Sequence, residues 1–111
     1  MNNCIFCNIA SGEMPSDIVY QDDKIVAFSD INPCSPVHVL VVPKEHVKSL
    51  DQVNDFALVS ELMRCCVDLA KKLGLNEGYR VVVNTGVAGG QTVEHLHFHL
   101  LGGRNLAWPP G

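Results

Sequence analysis

Residues 94–100 read Glu94-His95-Leu96-His97-Phe98-His99-Leu100, three imidazoles at alternate positions with apolar residues between them. Extended chain turns successive side chains to opposite faces. A strand here sets His95, His97 and His99 on one side and Leu96, Phe98 and Leu100 on the other. The apolar side predicts a sheet packed on a core; the imidazole side is left for chemistry. Imidazoles two residues apart on a strand stand about 6.5–7 Å apart, and the outer two roughly 13 Å. Zinc–nitrogen bonds are about 2 Å long, so one zinc cannot gather all three from a straight strand. The row is better read as one reactive imidazole with its neighbours as supports.

Outward from this strand, expected over 93–102, the pattern continues. Residues 79–84 predict a strand and 85–91 a glycine-rich loop leading into the histidines. A nearly continuous β-branched run over 37–42, closed by Pro43, predicts a central strand. Residues 18–20 and 24–28 predict a hairpin about Gln21-Asp22-Asp23, and 31–36, with two prolines and Asn32, a loop. One long helix is predicted over about 54–73, where Val59, Leu62, Met63, Cys66, Leu69, Ala70 and Leu73 recur at three- and four-residue spacing. Asn54 suits its N-cap and Gly74 its C′ position. A short helix over 4–10 turns Ile5, Phe6 and Ile9 inward and stops at Gly12. Five strands, a long helix, a short N-terminal helix and short links predict an α+β fold, a five-stranded antiparallel sheet with the long helix on one face.

The 111 residues suit one domain with one core, and 47% apolar content is ample for it. Net charge is −4 with eight scattered Lys and Arg, which disfavours a nucleic-acid polymer as partner. A single nucleotide remains open, because backbone amides can hold one phosphate. No signal peptide or membrane-spanning stretch is visible. Five cysteines without a disulfide spacing pattern fit a reducing cytoplasm.

A neutral imidazole is nucleophilic at pH 7 and forms covalent intermediates. His97 is the best candidate, having an imidazole on either side, and it needs one nitrogen bare while the other gives its proton to an acceptor such as a backbone carbonyl. The glycines of 86–92 permit a nest of amides for an anion, with the Thr92 hydroxyl as a further donor; an ordinary strand connection is the competing reading. His38 matters to the chemistry only if its strand pairs beside the histidine strand. Cys4-Ile5-Phe6-Cys7 offers two thiolates at a spacing that suits zinc, for which His46 and His95 are the available partners. A redox pair is the weaker alternative, since no βαβ pattern surrounds it.

Taken together these stretches resemble the histidine triad family, in its Hint branch of nucleotide-binding phosphoramidases. The resemblance runs through Ile5-Phe6, residues 27–33 (Ala-Phe-Ser-Asp-Ile-Asn-Pro), residues 38–46 (His-Val-Leu-Val-Val-Pro-Lys-Glu-His) and Val83-Asn84. It continues through 89–99, from Gly89 to His99, to Leu101-Gly102-Gly103-Arg104 and the closing Trp108-Pro109-Pro110-Gly111. It implies a single domain over 1–111 and a homodimer with the two sheets joined. It also implies hydrolysis of purine nucleoside 5′-phosphoramidates through a nucleotidyl-histidine at His97. His99 would stand near phosphate and leaving group, with His38 and the His95 carbonyl supporting His97. Asn84, Gly90, Gln91, Thr92 and Val93 would line the phosphate and leaving group, Asp30 would accept from the ribose, and Ile18, Phe28 and Ile31 would wall the purine. Trp108 would reach the partner subunit's site. Bacterial members with a similar cysteine pair imply structural zinc on Cys4, Cys7, His46 and His95. Dinucleoside polyphosphate hydrolysis, a non-catalytic nucleotide-binding module and a metal-dependent hydrolase are the rival readings.

Overall fold

In the computed structural model, which describes residues 3–111, the elements follow one another as α1 (Ile5–Ser11), β1 (Ile18–Gln21), β2 (Ile25–Ser29), β3 (Val37–Pro43), a 3-10 turn (Leu50–Gln52), α2 (Ala57–Lys72), β4 (Tyr79–Val83) and β5 (Phe98–Gly102). The strands form one antiparallel sheet in the order β1-β2-β3-β5-β4. This is the α+β architecture that the sequence predicts. β3 is central, and its His38–Pro43 segment is buried throughout, as a β-branched run without polar alternation requires.

Residues paired across strands share a face. Ile18 pairs with Phe28, Phe28 with Leu40, Leu40 with His99 and His99 with Val82, so one row crosses the whole sheet on one side. Phe6 and Ile9 of α1 pack on this side against Val26, Phe28, Leu40 and Val42. On the opposite side, Leu62, Cys65, Cys66, Leu69 and Ala70 of α2 pack on Ala27, Val39, Val41, Leu96, Phe98 and Leu100. Leu62, Val41 and Leu100 have no exposed surface, and burying each such side chain contributes about 1.5–3 kcal/mol. The long helix thus anchors the sheet from behind and leaves the histidine face to the short one.

Three expectations are corrected. The histidine strand begins at Phe98, not at residue 93. In the β3–β5 register Phe98 faces Val41, so Leu96 would face Pro43, which has no N–H for a ladder. Leu96 instead donates its amide to the Val47 carbonyl at 2.7 Å. The long helix starts at Ala57: residues 50–52 form the 3-10 turn, and Asp55 Oδ1, not Asn54, accepts from the Ala57 amide at 3.0 Å. In α1, Phe6 and Ile9 are buried, whereas Ile5 is 41% exposed. Both helix stops hold, with Gly12 and Gly74 at φ 85° and 76°.

Candidate functional site

Although the chain is not a strand at 95–97, alternation survives: Leu96 and Phe98 face α2, and the His97 and His99 rings lie together on the other side, centroids 5.0 Å apart. The row is less open than the sequence suggests, with His95 0% and His97 5% exposed and His99 half-buried. Nδ1 of His97 donates to the His95 carbonyl at 2.7 Å. A carbonyl only accepts, so the proton sits on Nδ1 and Nε2 holds a bare lone pair. Among the described residues no buried side-chain nitrogen or oxygen lacks a partner. Nε2 of His97, which takes no hydrogen bond, is therefore the edge of the ring that meets solvent. Phe6 of α1 stands edge-on to this ring at 5.1 Å. The sequence marks Phe6 as core; its contact with the His97 ring depends on where α1 docks.

Strand pairing brings His38 to the site, since β3 runs beside β5. Its Nε2 lies 2.9 Å from Nδ1 of His99 and 3.4 Å from Asp30 Oδ2. His38 thus supports His99 and not the central His97, a correction to the expected arrangement. Burial lowers the His38 pKa against the raising influence of Asp30. Burial, with His97 and His38 close by, holds His99 down to about 4. Both rings are neutral at pH 7.

The glycine-rich loop is folded on itself. Amides of Gly89, Gly90 and Gln91 bond to carbonyls of Gly86 and Val87, and the Gln91 side chain takes up the Gly86 amide. The expected nest is therefore not formed by these groups, whose amides are turned inward on the loop itself. Gln91 also donates to the carbonyls of Lys48 and Val93, which employs its whole amide in holding the loop. Asn84 donates to the Gly89 carbonyl at 2.8 Å, and Gly90 at φ 85° lets the chain turn back past it.

Of the expected purine walls, Phe28 is buried and edge-on to Phe6 at 5.4 Å. Ile18, its cross-strand partner, is 37% exposed and Ile31 87%. Trp108 is 82% exposed, on a tail tied to the sheet by Arg80, which donates to the Ala107 carbonyl.

A second cluster stands at the start of α1, where Cys4 is the N-cap and Cys7 lies in the first turn. Cys4 Sγ is 3.3 Å from His95 Nδ1, Cys7 Sγ is 3.3 Å from His46 Nδ1 and 3.5 Å from His95 Nδ1, and the two nitrogens are 3.1 Å apart. His95 gives its Nε2 proton to the Pro43 carbonyl at 2.8 Å, so the nitrogen facing the sulfurs is a bare lone pair. Two sulfurs and two imidazole nitrogens converging in this way form a group that can hold a metal ion.

The sequence model of the HIT domain matches residues 11–106. A HIT-like protein of Synechococcus elongatus, itself uncharacterised, is 53% identical over 109 residues, 96% of either chain. Among solved structures, a HIT family hydrolase from Legionella pneumophila superposes with TM-score 0.95 at 47% identity, covering 98% of this chain and 100% of that one. A histidine triad nucleotide-binding protein from Candida albicans does so with TM-score 0.84 at 35% identity, covering 96% and 83%. With the family pattern spanning both faces of the sheet and the whole histidine segment, the chain belongs to the HIT, or histidine triad, family.

Proposed function

We propose that the protein is a hydrolase of the Hint type, a nucleoside phosphoramidase that cleaves purine nucleoside 5′-phosphoramidates through a nucleotidyl-His97 intermediate. The observation that carries this reading is the His97 ring itself: Nδ1–H fixed on the His95 carbonyl, Nε2 bare and facing out. Such a nitrogen needs no base to activate it. Names among the relatives agree, one a hydrolase and another a nucleotide-binding protein.

Nε2 of His97 attacks the α-phosphorus, and the P–N bond breaks with its electron pair going to nitrogen. The amine departs with a proton taken from solvent, which the attacking water of the next step returns. Water then attacks the same phosphorus, the P–N bond to His97 breaks and the monophosphate leaves. His99, neutral and at the open edge, donates a hydrogen bond on the leaving-group side. Asp30 receives the ribose hydroxyls, Phe28, Ile18 and Ile31 flank the purine, and Asn84 with the Gly90–Val93 stretch borders the phosphate. β4 is an open edge of the sheet, a template for a second copy of the chain. The resulting homodimer would set Trp108 toward the partner subunit's site.

Cys4, Cys7, His46 and His95 would hold zinc. Tetrahedral Zn–S and Zn–N bonds place ligand atoms about 3.3–3.8 Å apart, close to the 3.1–3.5 Å seen here. With four protein ligands such an ion would supply a cross-link and no reaction chemistry.

Incubation with an AMP–amine conjugate tests the activity. Wild-type protein should release AMP, and His97→Ala should lose at least about a thousandfold in kcat. Equal rates in the two, or faster turnover of diadenosine polyphosphates than of the phosphoramidate, would overturn the assignment.

A further inference from the structure

We infer that the backbone N–H of Cys34 determines which nitrogen of His99 meets the substrate with a proton, making residue 34 a positioning residue for the phosphoramidase reaction; the inference rests on the function proposed above.

The argument follows hydrogen-bond roles along a chain. An imidazole nitrogen can donate or accept, but a backbone amide can only donate. The Cys34 amide points at His38 Nδ1 from 3.1 Å, so that nitrogen carries a lone pair. A neutral His38 then has its proton on Nε2, which lies 2.9 Å from His99 Nδ1, with Asp30 Oδ2 as a second acceptor at 3.4 Å. His99 Nδ1 therefore accepts, and the one proton of a neutral His99 sits on Nε2, the nitrogen with no internal partner. Burial keeps both rings neutral at pH 7, which is why direction matters: an imidazolium would donate from both nitrogens. Reversing the chain would present a lone pair to phosphate oxygens and to the leaving nitrogen, a repulsive arrangement.

The loop is built to hold that amide still. Asp30 Oδ1 accepts from the Asn32 amide at 2.8 Å, Arg104 Nη2 donates to the Cys34 carbonyl at 2.8 Å, and Ser35 Oγ donates to the Val37 carbonyl at 2.5 Å. The Cys34 side chain is exposed. The same logic separates two clusters of similar make-up. Asp30, His38 and His99 have ligand atoms as close together as the cysteine cluster does. Yet the amide of Cys34 turns a proton into the first cluster, whereas the carbonyl of Pro43 turns a lone pair into the second.

The test removes the N–H and little else. Cys34→Pro does so by substitution, and a backbone ester at position 34 does so with almost unchanged shape should the proline variant fold poorly; Cys34→Ala, which keeps the N–H, is the comparator. Nitrogen-15 spectra of the imidazoles at neutral pH report the tautomers without substrate, and an AMP–amine conjugate reports turnover. In wild type, His38 and His99 should both carry their protons on Nε2. Relative to Cys34→Ala, the ester should reduce that population and lower kcat about tenfold, the scale of one lost hydrogen bond, with KM within about twofold. A proton on Nδ1 of His38 in wild type, or tautomers and kcat that fail to change together, would overturn the inference. Inactivity of the wild-type protein would instead remove the proposed function and leave the tautomer result standing.

Discussion

His95 gives its backbone carbonyl to the His97 Nδ1 proton at 2.7 Å and its ring nitrogen to the cysteine cluster, 3.3 Å from Cys4 Sγ. One residue therefore joins the group proposed to hold zinc to the group proposed to attack phosphorus. Its Nε2 bond to Pro43 adds a third anchor, on the central strand. Whatever loosens the His95 ring also loosens the acceptor that fixes the His97 tautomer.

This coupling predicts that metal loss reduces activity through the protein's shape. His46 is exposed and stands outside the triad, so His46→Ala removes a proposed metal ligand without touching His97. The variant should retain little zinc, melt roughly 10 °C lower, on a scale of about 4–8 °C per kcal/mol, and turn over more slowly. Metal content, melting temperature and kcat measured on one sample decide it. A zinc-free protein with unchanged melting and turnover would show the cluster to be inert.

Gln91 supplies a second prediction. Its amide accepts from Gly86 N and donates to the carbonyls of Lys48 and Val93. Gln91→Ala forfeits all three bonds and should cost about 1–3 kcal/mol, with KM raised as the loop beside the phosphate loosens. Gln91→Glu keeps the acceptor but sets a carboxylate against two carbonyls, so it should be at least as harmful as alanine. Chemical denaturation with KM for the two variants checks this order; a glutamate variant matching wild type would mean that the side chain does not hold the loop.

The histidine pair predicts a pH dependence of stability. Burial and the neighbouring imidazoles hold His99 down to about 4, and burial lowers His38 as well, whereas histidines of an unfolded chain titrate near about 6.5. Between these values the unfolded state binds more protons, so stability falls as pH drops from about 6.5 toward 4 and is unaffected by these groups above that window. Melting temperature should be flat from pH 8 to 7 and decline below. His99→Gln should shallow the decline. The same slope in both proteins would exclude His99 as its source.

How far the fold was legible in the sequence follows from the range of the forces involved. Period-two alternation at 95–100 is local, and it separated the α2 face from the histidine face correctly even where the strand itself was lost. The strand's early end was not legible, because it depends on Pro43 standing opposite Leu96 in a register between residues far apart in sequence. For the same reason His38 could be noticed but not placed: only the β3–β5 pairing sets it beside His99. The C-x-x-C pair is a local signal, whereas its closure by His46 and His95 needed the loops after β3 and before β5 to converge. Gln91 shows a different obstacle. Nothing in a glycine-rich stretch tells whether its amides face a ligand or, as here, its own carbonyls.

Gly103 offers the last prediction, through the loop that carries Cys34. It has φ +91°, and a Cβ there would lie 2.8 Å from Pro36 Cβ, so alanine meets both left-handed strain and a collision. Gly12 isolates the first effect: its φ is +85° and a Cβ would meet nothing within 4 Å. Gly12→Ala should therefore cost about 1 kcal/mol and Gly103→Ala about 2–3 kcal/mol. Because Pro36 closes the loop that aims the Cys34 amide at His38, the Gly103 variant alone should also lose turnover, with a changed His38 tautomer in nitrogen-15 spectra. Denaturation midpoints and kcat for both variants separate the two effects. Equal losses would mean that the contact with Pro36 relaxes without moving the loop, and that the amide's aim is set by Arg104 on the Cys34 carbonyl instead.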